Sequence, residues 1–219
     1  MVEGTEAILA PLTDRDRELV TVAVKAVEYS RDPVGEAEIP GLRDPILRRC
    51  IDGLLRLRGR TLVQVDRFTW TSGYHDDVTR NLVADGWQSL PEADRAVLAL
   101  VLIHSVAIPR AEGTLTSDSW TSSVPAPMEE LRQRSQVPVG QLQSSLARLR
   151  AAGLVKNAKA KNYLGSGQTV TGYIPGPQFH RLTPAARQRL QDAFIMAAAP
   201  ESPLASIIRA RRDAREGET

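Results

Sequence analysis

The chain is short of most features that would name a chemistry. It has one cysteine, Cys50, in 219 residues, which excludes an internal disulfide and suits a reducing compartment. Cys50 stands between Leu47 and Leu54 on a helical face, so it reads as a small apolar residue rather than a nucleophile. The three histidines, His75, His104 and His180, are far apart, with no Cys or His at ligand spacing. His75-Asp76-Asp77 reads better as a helix start with acidic first-turn residues than as a metal site. No Gly loop followed by Lys-Ser/Thr is present to cradle phosphate, and no Gly-x-Ser-x-Gly elbow. We therefore expect no enzyme activity, no metal and no cofactor. The longest apolar run, Ala96 to Ile103, is far too short to span a bilayer. The first residues lack the basic stretch of a secretory leader. A cytoplasmic, nucleoid-associated protein without membrane contact is expected.

What is present is an uneven distribution of charge. The net charge is only +2, but residues 1–88 hold 12 Lys+Arg against 15 Asp+Glu, and residues 89–219 hold 16 against 11. Between 127 and 181 there are 8 basic residues and 2 acidic ones. Three of the four lysines, Lys156, Lys159 and Lys161, fall within six residues of one another. A local excess of this kind is the electrostatic footprint of a nucleic-acid surface, although lysines are also common on plain solvated loops.

Hydrophobic periodicity predicts helices over 14–30, with Thr13 as N-cap, and over 44–58, ended by Gly59. RTLVQVDRFTW has the β-branched and aromatic content of a strand, and 75–87 reads as a short helix with Val78, Leu82 and Val83 inward. At Ser89 a capping-box pattern, Ser-Leu-Pro-Glu, opens a helix of about 90–106 that is apolar nearly all round. Trp70, Trp87, Trp120 and Tyr29 suit a core better than a ligand pocket. No internal repeat is visible. The organisation expected is a helical N-terminal region with one strand or hairpin over 1–88, serving dimerisation or partner binding. A domain over 89–199 and a charged, frayed helical tail over 200–219 follow it.

Residues 127–184 carry the functional argument. Two helical patterns joined by a tight turn lead through Gly153 into an extended basic segment and then a helix capped by Thr183 and Pro184. In the second pattern Leu142, Leu146 and Leu149 form one apolar face, while Gln141, Ser144 and Arg148 fall opposite. Gln141, Gln143 and Ser144 are the candidates for contacts with base edges. Arg132, Arg134, Arg148, Lys156, Lys159 and Lys161 are the candidates for the DNA backbone.

The string Leu146, Leu149, Gly153, Leu154, Val155, then Leu182, Thr183, Pro184, with Leu131 and Val137 before it, resembles the multiple-antibiotic-resistance regulator type of winged helix-turn-helix. The resemblance spans roughly Ser89 to Leu190. It departs from the pattern at Pro138, where a polar N-cap is usual, at Ser135 for a core leucine and at Gln136 for the turn glycine. It implies a mainly α fold with a small β-wing, hence α+β, in which a winged helix follows the N-terminal region. It also implies a homodimeric regulator of transcription that places helix 139–152 in the major groove of double-stranded DNA and wing 156–174 on the backbone. The N-terminal half would hold any protein partner. The competing expectation is an architectural subunit, similar to accessory subunits of chromosome-condensing complexes or to a replication or phage-defence component, that binds protein or DNA without sequence preference.

Overall fold

Thr13 begins the first long helix as expected: its hydroxyl accepts the Asp16 N–H, and helix α2 runs Asp14–Tyr29 behind a short α1, Val2–Leu9. The coordinates are those of a computed structural model, which describes residues 2–85, 90–116, 120, 122, 124–135, 137–161, 169–198, 201 and 206–210. Strand β1 (Val34–Gly35) and a 3-10 turn (Pro40–Leu42) lead into α3, Pro45–Arg56, which Asp44 caps through the Ile46 N–H. Gly59 leaves α3 at φ +68°, the left-handed conformation that a Cβ disfavours. The expected strand is a hairpin of two, β2 (Arg60–Gln64) and β3 (Thr69–Tyr74), because Asp66 accepts the N–H groups of Phe68 and Thr69 and reverses the chain. Helix α4, Asp76–Ala84, follows. Val83's side chain and Trp87 lie outside the described residues.

Helix α5 covers Glu92–Leu102. Its N-cap position is Pro91, with no side-chain cap bond, so the capping box drawn from Ser89 is corrected; Ser89 itself lies outside the described residues. The helix continues through a π turn, Ile103–Ala107, into α6, Ile108–Ala111. Pro109 gives the reason for the wider turn, since its ring would clash with the Ser105 carbonyl four residues back in a regular helix. Strand β4 (Ala126–Pro127), α7 (Met128–Arg134), α8 (Val139–Ala151), β5 (Val155–Lys161) and β6 (Thr169–Pro175) come next. A 3-10 turn, Pro177–Arg181, leads into α9, Pro184–Ala198, which Thr183 caps by accepting the Ala186 N–H. A last helical stretch spans 206–210, where Ile208 is buried. The molecule is thus mainly helical, with two small antiparallel sheets. Among the described residues no helix is long and apolar enough to cross a membrane.

The two sheets have one topology. The first is ordered β1-β3-β2 and the second β4-β6-β5, all antiparallel. Each sheet receives a long helix before its first strand, a second helix before its hairpin and a third after it. The second helices match in detail: Leu47, Ile51 and Leu54 of α3 and Leu142, Leu146 and Leu149 of α8 are all buried, at the same i, i+4, i+7 spacing. Gly153 leaves α8 at φ +71°, as Gly59 leaves α3. The chain therefore contains a structural repeat, a first unit over 14–84 and a second over 92–198, where the sequence alone shows none.

The units are docked through polar contacts. Arg181 donates to the carbonyls of Val27 and Ser72 at 3.4 and 2.8 Å, and its other terminal nitrogen donates to the Ser30 carbonyl. Asp76 at the start of α4 accepts from Thr183 at 2.7 Å and from Arg189 at 2.9 Å. Gly73 permits the close approach of β3: a Cβ there would lie 2.1 Å from the Arg181 carbonyl oxygen. One further contact closes the outer edge of the first sheet. Asp52 of α3 accepts the Leu62 N–H of β2 and the Thr61 hydroxyl, each at 2.8 Å.

Candidate nucleic-acid interface

Helix α8 is held from beneath and open above. Leu142, Leu146 and Leu149 pack with Val97 and Val101 of α5, Leu131 of α7 and Val155 of β5. Val137, in the turn before α8, is partly buried against the same cluster. Each buried leucine contributes about 2 kcal/mol by leaving water, which fixes the helix against its own unit. Gln141, Gln143, Ser144, Ala147 and Arg148 are exposed on the other side. Ser144 donates its hydroxyl to the Gly140 carbonyl at 2.8 Å, so it presents lone pairs rather than a proton.

The cations differ in how far they are committed. Arg148 reaches across to α5 and forms two hydrogen bonds with Asp94, at 2.9 and 2.6 Å, while a third goes to Ser145 at 3.1 Å. The Asp94 side chain is only 3% exposed, whereas Arg148 is 53% exposed and covers it. The hydrogen bonds from Arg148 and Ser145 hold the Asp94 carboxyl at about 2, well below its ordinary value. Arg148 is therefore a brace between α5 and α8 whose outer surface alone faces solvent. Arg132 is paired with Glu129 on the same helix at 2.9 Å. Arg134 is exposed at the end of α7.

The hairpin β5–β6 stands beside α8. Lys156 and Lys159 are both exposed, but three residues apart in a strand they project from opposite faces. Asn157 and Lys159 share the face of Val155, the side on which Arg150 of α8 approaches Asn157 at 3.5 Å. Lys156 opens on the other side, near His180, whose imidazole is held below its ordinary pKa by burial and by the charges of Lys156 and Arg187. The Lys161 side chain and the hairpin tip, 162–168, lie outside the described residues. The expectation of one continuous basic arm thus resolves into two faces, of which only the Lys159 face adjoins α8.

The corresponding surface of the first unit is covered at its C-terminal end, while Ile46 and Arg49 stay exposed. Helix α1 lies antiparallel across α3, where a Cβ on Gly53 would come within 3.2 Å of Ile8 and one on Gly4 within 3.3 Å of Leu57. A groove of about 650 Å³ remains between α1, α2 and α3, lined by Leu9, Val24, Leu54 and Leu57 among others. Of the aromatic residues expected in a core, Trp120 stacks on Phe179 in a buried cluster, and the Trp70 indole N–H donates to Glu36 at 2.8 Å. Tyr29 is instead open, 77% exposed beside the cleft between the units. Sequence reasoning missed the Asp94–Arg148 brace because its partners are 54 residues apart, and Asp94 carries no signal beyond its place in a helical first turn. Among the described residues no three His, Cys, Asp or Glu side chains gather as a metal would require.

No family model matches the chain, and no curated protein sequence does. Among solved structures it is similar to a conserved hypothetical protein from Chlorobium tepidum. That match has 14% identity and a TM-score of 0.31, and covers 77% of this chain and 96% of that one. A likeness this distant carries no argument about fold or function.

Proposed function

We propose that the chain is a tandem winged-helix protein that binds double-stranded DNA through its second unit, with little sequence preference, as an architectural component rather than a site-specific regulator. The observation that carries this reading is the exposed face of α8 beside a lysine-bearing hairpin, set against a first unit in which α1 covers the C-terminal part of the matching helix and the hairpin carries no lysine. In this reading α8 lies along the major groove, Lys159 and Arg134 rest on the backbone, and Lys156 meets a neighbouring phosphate from the far face of the wing. Low preference follows from the side chains. Gln141 and Gln143 are the only long donor-acceptor groups on the open face, and the largest cation there, Arg148, is tied to Asp94.

The sequence-specific regulator is the second reading. It is favoured by Gln141, whose amide suits a bidentate contact with adenine. A mobility shift with random-sequence duplexes at two salt concentrations, followed by repeated selection, separates the two. Binding that falls steeply with salt and yields no enriched site supports the architectural role. An enriched palindromic site would restore the regulator. Absence of binding at low salt would remove DNA from both.

A further inference from the structure

The cleft between the two units gathers more positive charge than it neutralises. It encloses about 590 Å³, and Arg31, Arg60 and Arg181 line it with a single carboxylate, Glu28. That carboxylate is shared, binding Arg58 at 2.6 Å and Arg60 at 3.8 Å. Arg60 and Arg181 come from different units and yet both donate to one hydroxyl, Ser72 Oγ, at 3.0 and 3.3 Å. Two guanidinium groups sharing one hydroxyl repel each other, and burial together with Arg60 draws the Arg181 pKa below its ordinary value. An oxyanion placed beside them offsets that repulsion: Arg60 suits a carboxylate or phosphate by its planar fork, while Arg181, whose terminal nitrogens serve the carbonyls of Val27, Ser30 and Ser72, adds its charge.

The surroundings describe the rest of the ligand. Arg60 is already oriented, its guanidinium carbon 4.7 Å from the centre of the Tyr74 ring. Tyr74 and Tyr29, 53% and 77% exposed, stand at the rim; Arg60 covers one face of Tyr74, and the exposed ring area that remains can receive a flat ring. The volume falls within the range of small-molecule sites, roughly 300–1,000 Å³, which favour the junctions between domains. We propose that this cleft binds a small oxyanion-bearing molecule with a planar ring, its charged group beside Arg60 and Arg181 and its ring against the Tyr29–Tyr74 rim. Because Arg60 and Tyr29 belong to the first unit and Arg181 to the second, occupancy stabilises their docked arrangement. The inference does not depend on the DNA reading.

Thermal unfolding of the full chain, followed with increasing adenosine 5′-monophosphate, adenosine, inorganic phosphate or benzoate, tests it. A ligand that binds only the folded chain raises the midpoint in proportion to the logarithm of its concentration above Kd. The expected result is a rise with adenosine 5′-monophosphate or with benzoate, a smaller one with phosphate and none with adenosine. Which of the first two acts more strongly assigns a phosphate or a carboxylate head. Tyr29→Ala should reduce the larger response to the level of phosphate, and Arg60→Gln should abolish both. No rise with any anion overturns the proposal, as does an equal rise with adenosine. Should Arg60→Gln fail to fold, Tyr29→Ala still decides, since an undiminished response in that variant overturns the placement. A response lost on Lys159→Ala instead would move the anion to the wing and end the proposal.

Discussion

In the first unit α1 lies across the C-terminal part of α3, its Ile8 set over Gly53 and its Gly4 under Leu57, and leaves Ile46 and Arg49 exposed; in the second, Gln141, Gln143, Ser144, Ala147 and Arg148 of α8 are all exposed. The underlying skeletons agree in strand order, in the buried triplet of the second helix and in the left-handed glycine after it. What separates them is side-chain size on a surface the fold does not need. Glycines on α1 and α3 allow the two helices to approach at Gly53 and Leu57, while Ile46 further along α3 stays 56% exposed. On α8 the outward residues are polar or small and the core triplet is satisfied from below, so that face is left for something else. A repeat thus supplies two equivalent platforms, and a few outward residues decide how much of each is covered.

The comparison is sharpest at its two buried centres. Ile51→Ala and Leu146→Ala each remove a core side chain, from positions 0% and 2% exposed, and each should cost about 3 kcal/mol. Because Arg181 and Asp76 join the units, urea unfolding is expected to stay a single transition in both variants. Two separated transitions in either would show that the units are independent. Cutting the joint should have a somewhat smaller effect. Arg181→Met removes the guanidinium donors from the carbonyls of Ser30 and Ser72 and leaves the Val27 carbonyl only the Ser72 hydroxyl, at a cost of about 2 kcal/mol. It should split the transition in two while the second unit keeps its own stability. One unsplit transition of unchanged midpoint would mean that the apolar contacts, not Arg181, hold the halves together.

The open and the partly covered platform should also differ towards DNA. Lys156→Ala with Lys159→Ala should lower the slope of log affinity against log salt by roughly 1.8, since each phosphate that is no longer neutralised removes about 0.9. Arg49→Ala, on the exposed side of α3, should leave it unchanged. Equal losses from both units would end the assignment of binding to the second.

The smallest effect is the acid dependence of the α5–α8 brace. Asp94 is held at about 2 when folded and has an ordinary value of 3.8. Its stabilising share is therefore complete above about pH 4 and is lost as the pH falls from there towards 2. Asp94→Asn should flatten the stability profile in that window alone. The change is modest because Arg148 remains half-exposed and water screens the pair. An unchanged acid limb would mean the brace contributes nothing.

Much of the local grammar was legible in the sequence. Thr13 and Thr183 cap their helices, Gly59 and Gly153 take the left-handed turn, and α8 ends one residue before its expected limit, because each of these depends on a few neighbouring residues. The repeat was not legible. The first unit has only the turn Pro40–Leu42 where the second has the two-turn helix α7, and its β1 is two residues long, too short for any periodicity. The role of Arg148 was hidden for a different reason, since exposure and pairing depend on a partner that only the fold brings near. Pro91 at the N-cap shows the limit of a motif, because a correct spacing from Ser89 to Glu92 did not decide where the helix begins.

The bond from Leu62 to Asp52 has a consequence for how copies of this chain meet. An edge strand with free N–H groups is a template on which another chain can add a strand, and a single carboxylate on α3 fills that position on β2. Burial raises the Asp52 pKa, but the bonds from Leu62, Arg56 and Thr61 outweigh it and keep the group ionised below the usual carboxylate range. The edge of β5 carries instead the lysines that would face nucleic acid, which repel a second copy by charge. One sheet is thus protected from self-association by a local bond and the other by the charge of its lysines. Acid that protonates Asp52 should start aggregation at the first edge while the second stays guarded by its cations.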